Sequence, residues 1–306
     1  MFKYVLPALA LAFAAAATPA SAASAYVSRF GSGSTCSQAT PCADMVSAVN
    51  AAGANGEVIC LDKGNYGSAT ILQSVTISCG DGLWESPLLV STINTPAGSD
   101  VVIEGLVADG TASGGPGITK HGQGALHLRR VRVGNFAGSG NHGLNFIPSG
   151  PATLHISDSV FYNNGGSGVL VKPASGGSAN VHMRNVRFEH NLQGLFADGT
   201  NGVINVNMAE SAAVDNQQNG IGAFSPSNAS VTVSVISSQI TGNLTNGIGA
   251  LASGAGSVAV KIGNSQITGN VNGLAVGGAG QILTLGGNHL HSNVADGTFT
   301  GSIATK

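Results

Sequence analysis

Three histidines occupy the same place in three consecutive stretches of this 306-residue chain. Each lies between two apolar residues, as in Leu126-His127-Leu128, Leu154-His155-Ile156 and Val181-His182-Met183. Arginines accompany them: Arg129 and Arg184 follow two residues on, Arg132 and Arg187 after a short break, with Arg130 beside them. A basic, imidazole-bearing row of this kind suits binding of an acidic polysaccharide, because Arg grips carboxylates through paired hydrogen bonds. His titrates near neutral pH, so it can accept a proton in a β-elimination, or strengthen anion binding as pH falls. Equivalent residues on stacked strands lie only about 5 Å apart, so three protonated imidazoles would repel one another. We assign no metal and no cofactor to the row. The plain alternative is a solvated sheet face whose residues recur because the coils were duplicated.

For such a row to exist, equivalent residues must arrive on one face at a fixed pitch, and an internal repeat does this. Leu154 to Asn164, Val181 to Asn191, Val206 to Asn216, Val233 to Asn243 and Val260 to Asn270 each span ten positions. Shortly after each Asn, a Gly precedes an aliphatic residue: Gly168, Gly194, Gly220, Gly247 and Gly273, at spacings of 26, 26, 27 and 26. Gly143 and Gly117 extend the series upstream by 25 and 26. A period of this size signals a solenoid. Apolar and polar residues alternate within each repeat, which is strand periodicity and turns the histidines outward.

No repeat can bury its apolar side alone, so coils must stack, each strand pairing in parallel with its equivalent about 4.8 Å above. The sequence therefore predicts an all-β chain, a right-handed parallel β-helix of roughly ten coils. A stacked Asn tolerates left-handed backbone and bonds its neighbour's amide along the axis. The Gly beside it supplies a backbone angle closed to residues with a Cβ. Phe161, Phe188, Ile240 and Ile267 form a further inward column. A leucine-rich-repeat horseshoe has a similar period, but the second half of each unit, such as Pro173 to Asn180, lacks helical periodicity.

Composition agrees: 8% charged, 5% aromatic and 46 Gly describe a turn-rich repeat rather than a globular α/β enzyme. Net charge is −2, which gives no reason to expect a nucleic-acid partner. Residues 1–22 read as a secretory signal, with Lys3, an apolar core from Val5 to Ala17, and Ala20-Ser21-Ala22 before the cleavage point. That places the protein in the periplasm or outside the cell, and no stretch is long enough to predict a membrane span. Cys36, Cys42, Cys60 and Cys79 then read as two disulfides with three possible connectivities; pairing neighbours in sequence gives Cys36 with Cys42 and Cys60 with Cys79.

Residues 23–56 form a leader and a capping helix, with Asp44 as N-cap, Met45, Val46 and Val49 as its apolar positions, and Gly53 as its stop. The β-helix occupies 57–306, and a cap on its first coil covers an edge prone to aggregation. Trp84 to Pro96 is a less regular coil, and Gly286 to Lys306 closes the C-terminal end.

The run from Cys36 through the helix, Gly64-Asn65-Tyr66 and Val75-Thr76-Ile77-Ser78-Cys79-Gly80, followed by coils ending in Asn and Gly-aliphatic pairs, resembles the secreted bacterial right-handed β-helix proteins of the pectin-lyase-like superfamily. The resemblance covers nearly all of the chain beyond the signal. It implies fold far more than function, since that superfamily holds lyases, polygalacturonases, epimerases, tailspikes and adhesins. The clustered acids and Arg base of its pectate lyases, and the Asp pairs, Gly-His-Gly and Arg-Ile-Lys of its polygalacturonases, have no counterpart here. Asp158 and Glu210 share a column but lie two coils apart, with Asn185 between them. The candidate glycan-binding residues are therefore His127, Arg129, Arg132, His155, His182, Arg184 and Arg187, with no catalytic residue assigned. Lys120, His121, His142 and His190 read as turn residues, and His289 and His291 stand isolated. The functional expectation is an exported protein that binds polysaccharide along its outer face, with processing of the bound chain as its extension. A structural or adhesin-like spacer and a β-eliminating lyase are the alternatives.

Overall fold

A computed structural model describes residues 23–304 apart from 81, 83, 87–89 and 113. The expected signal at 1–22 lies outside the described residues. The chain winds into a right-handed parallel β-helix whose strands are hydrogen-bonded to the equivalent strand of the next coil. Eight stacked strands, from Val90–Thr95 to Asn272–Gly278, make one sheet, and the other strands form a larger sheet that bends around the rest of each coil. Among the described residues eight complete coils stand where roughly ten were expected. The segments Gly56–Cys60 and Val75–Ser78 add rungs to the large sheet without a matching strand in the smaller one. In the second half of each unit a short strand such as Ser167–Val171 or Asn246–Ala252 leads into a turn, at 172–177 and 253–256, and the one α-helix among the described residues is Met45–Ala52.

That helix packs on the first strands, Ser24–Val27 and Gly56–Cys60. The Asp44 carboxylate accepts from the Ser47 amide and hydroxyl, both at 2.8 Å, and Gly53 ends the helix at φ 69°. Met45, Ala48, Val49 and Ala52 are buried, whereas Val46, expected on the apolar face, points to solvent. Two disulfides join Cys36 to Cys42 and Cys60 to Cys79. The second links equivalent positions of adjacent rungs, 4.8 Å apart at Cα.

The register delivers the columns read from the sequence. Leu126, Leu154, Val181, Val206, Val233 and Val260 stack inward, as do Phe161, Phe188, Ala213, Ile240 and Ile267, with the two phenyl rings 5.9 Å apart. Asn164, Asn191, Asn216, Asn243 and Asn270 form a buried ladder that ends on Asn293. Each side-chain amide donates to the next carboxamide oxygen at 2.8 to 3.2 Å, and that same oxygen accepts the preceding Asn's backbone N–H. Phe136 takes the place of Asn one coil earlier, and its N–H meets Asn164 Oδ1 at 3.4 Å.

Two expectations about this corner need correction. The left-handed residue is the one before each ladder Asn, namely Asn163, His190, Asp215, Gly242, Gly269 and Ser292, with φ between 52° and 70°. The turn is made there, which leaves the next side chain free to point inward. The recurring Gly serves close approach rather than backbone angle. A Cβ on Gly168, Gly194, Gly220 or Gly247 would sit 2.4 to 2.9 Å from the carbonyl oxygen of the next coil's Gly.

Candidate functional site

A second left-handed column, Arg130, Asp158, Asn185, Glu210, Ser237 and Asn264, with φ between 50° and 53°, folds each coil of the large sheet at a corner. Before the corner, the outward positions carry the three histidines; after it, they carry Arg132 and Arg187. The register stacks His127 on His155 and His155 on His182, with ring centroids 4.5 and 5.1 Å apart and planes 6° and 15° from parallel. Asn207, Ser234 and Lys261 continue the column. Stacked rings direct their nitrogens side by side rather than at a common point. Among the described residues no group of three or more His, Cys, Asp or Glu is placed to hold a metal ion.

An open groove of about 520 Å³ runs along this face from His127 to Ser234, with the imidazoles on one side and Arg129, Ser157 and Arg184 on the other. Five of the seven predicted glycan-binding residues therefore meet in one place. Arg132 and Arg187 do not, because the left-handed corner turns them onto a separate facet.

Ion pairs invisible in the repeat pattern change the electrostatics. Asp100 lies opposite His127, its carboxylate accepting from Nε2 at 3.0 Å. Arg184 forks onto Glu210 with both bonds at 3.0 Å, Arg130 pairs with Glu104, and Arg187 pairs with Glu189. The Arg132 guanidinium lies over the Tyr162 ring, 5.6 Å from its centroid. No carboxylate among the described residues lies within ion-pair distance of Arg129. The expected basic stripe is thus largely neutralised: five arginines (129, 130, 132, 184 and 187) share the region with five carboxylates (Asp100, Glu104, Asp158, Glu189 and Glu210). His155 is held below the ordinary imidazole pKa by burial first, then by the charges of His127 and His182.

Sequence reasoning missed Asp100 and Glu104 because they belong to the first coils, before the regular Asn-Gly spacing begins. It also missed Lys120, taken for a turn residue. Lys120 is fully buried in an inward column between Ile93 and Phe146, and its ammonium donates to Thr95 Oγ1, His121 O and Gln123 O at 2.6 to 2.8 Å. His142 is also a structural residue. Its Nδ1 accepts the Ser167 amide at 2.7 Å, and burial, then the Lys172 charge, push its pKa down to about 4.

Solved structures similar to this chain are polysaccharide-acting β-helix enzymes. Pectate lyase Pel9A superposes with a TM-score of 0.54 at 14% identity, covering 92% of this chain and 78% of that one. The A-modules of the Azotobacter vinelandii mannuronan C-5 epimerases AlgE4 and AlgE6 give TM-scores of 0.45 and 0.35 at 15% and 13% identity, each covering 85% of this chain and 94% and 92% of theirs. At such identities the likeness is one of fold. No protein-family model matches the chain, and no curated protein sequence matches it. No helix among the described residues is long and apolar enough to cross a membrane.

Proposed function

We propose that this is an exported β-helix protein that binds polysaccharide in the groove between the histidine column and Arg129. The observation that carries this reading is the register. Three imidazoles line a continuous groove along the solenoid axis together with the Arg129 guanidinium, which has no carboxylate among the described residues within ion-pair distance, an arrangement suited to an extended chain rather than a compact ligand. The two disulfides and the signal-like residues 1–22 support export to an oxidising compartment. The shared fold with a pectate lyase agrees with a polysaccharide partner.

Co-sedimentation and affinity electrophoresis against a panel of uronate-containing and neutral polysaccharides test the reading. Arg129→Gln is the informative variant, because it removes a charge without stranding a buried or paired acid; Arg184→Gln and Arg187→Gln each release a glutamate and confuse the result. Retention that falls in Arg129→Gln at unchanged melting temperature supports the site. The same incubations followed by ultraviolet absorbance would reveal unsaturated products if the groove also cleaves. A protein retained by none of the panel would be left as a spacer.

A further inference from the structure

We propose a second carbohydrate site on the smaller sheet, built for a neutral glycan. An open groove of about 450 Å³ runs across the outer face of its last four strands. Its floor is Gly222, Gly249 and Ala275, stacked in register. Two walls of different chemistry flank that floor. On one side Gln193, Asn219, Asn246 and Asn272 form a surface row, with Asn219 donating to Gln193 at 3.1 Å, Asn246 to Asn219 at 2.7 Å and Asn272 to Asn246 at 3.0 Å. Along the row, Asn219 and Asn246 each use one N–H and one carbonyl lone pair, so each keeps a donor and an acceptor for a ligand. The other wall is apolar, formed by half-buried Phe224 and exposed Leu251, and Phe196 closes one end.

A pyranose has an apolar ring face and an equatorial rim of hydroxyls, so one sugar can satisfy both walls at once. The charge of the ligand follows from the lining, which contains no ionisable side chain. The charged pair beside it, Lys172 and Asp198, is closed on itself at 2.7 Å. A uronate would lose hydration here and gain no counter-charge. This site is separate from the histidine groove, on another sheet, and differs from it in the charge it selects.

The floor supplies the test. A Cβ at Gly249 would have its nearest neighbours at 3.7 Å, ordinary contact, so Gly249→Val fits the fold while filling the groove. Calorimetric titration of the purified protein with cellopentaose, maltopentaose, xylopentaose and mannopentaose, with tetragalacturonate as the charged control, should show binding of at least one neutral pentaose. Gly249→Val should weaken it at least tenfold, and Phe224→Ala or Asn246→Ala about fivefold, at unchanged melting temperature. Arg129→Gln in the other groove should leave it unchanged. The proposal is overturned if no neutral pentaose binds, or if Gly249→Val binds as the wild type does. It is also overturned if the wild type is a dimer that Gly249→Val dissociates, since a second copy would then cover the face.

Discussion

Asn216 sits mid-ladder, and its replacement by Ala measures how much the buried amides hold the coils together. Its Oδ1 accepts from Asn191 N and Nδ2 at 3.1 and 3.2 Å, and its Nδ2 donates to Asn243 Oδ1 and Phe188 O at 2.9 and 3.3 Å. Truncation leaves Asn191 Nδ2 with Phe161 O and Asn243 Oδ1 with the Asn216 backbone N–H, so those groups stay satisfied. The Asn191 N–H is stranded in a dry interior, and Phe188 O loses a donor. At about 1 to 3 kcal/mol for each stranded group, plus about 1 kcal/mol for the small cavity, the expected cost is about 4 kcal/mol. Asn205→Ala, which removes an exposed 3.3 Å contact to Asn180, should cost under about 0.5 kcal/mol. Urea unfolding followed by circular dichroism gives both values. Amide exchange at Asn191 and Asn216 localises the loss, because a solenoid can open coil by coil. Asn216→Asp should regain stability as pH falls towards the ordinary carboxylate range, since burial against Asn243 Oδ1 and Phe188 O raises the folded carboxyl's pKa above its unfolded value and protonation restores one donor. A cost below about 1 kcal/mol for Asn216→Ala, or one equal to that of Asn205→Ala, would refute the argument.

Three further outcomes are expected. Gly194→Ala places a methyl 2.4 Å from Gly220 O and should cost about 1 to 3 kcal/mol, whereas Gly249→Ala should be neutral or slightly stabilising; thermal melts of both decide it. His142 has a folded pKa of about 4 against an unfolded value of 6.5, so its unfolded form binds the extra proton and stability is lost as pH falls from 6.5 towards 4. His142→Gln should flatten that limb of the stability curve. Lys120 has a folded pKa of about 8, lowered from 10.5 by burial, so between those values the unfolded chain again holds more protons. The unfolding free energy of the wild type minus that of Lys120→Met should accordingly rise from pH 8 to pH 10, and a flat difference would contradict the burial argument.

The repeat made the fold legible, because a period of about 26 residues with alternating apolar positions admits few stacked arrangements. The same alternation correctly turned His127, His155 and His182 outward and Phe161 and Phe188 inward. What it could not reveal were interactions between positions that alternation treats as equivalent. A left-handed residue such as Asp158 changes the facet on which later outward residues sit, which separated Arg132 and Arg187 from the histidines. Pairs such as Arg184 with Glu210 and His127 with Asp100 depend on side-chain reach across neighbouring coils, a distance that spacing does not encode. Lys120 was misread because a lone lysine beside His121 and Gly122 has the composition of a turn. Only the three acceptors at its tip make burial tolerable.

The asparagine ladder also has an electrical sense. Every amide in it points its N–H toward the following coil, so the peptide-like dipoles add head to tail along the axis, as they do in an α-helix, with the positive end at Asn293. There the Asp296 carboxylate accepts from Asn293 Nδ2 and backbone N–H at 2.8 and 3.1 Å, and these bonds hold its pKa below the usual value. The last coil thus ends on an anion placed where the column's field favours one. The surface row from Asn272 to Gln193 points the opposite way. A solenoid built from parallel strands therefore carries two antiparallel lines of amides, and each partly cancels the other's field.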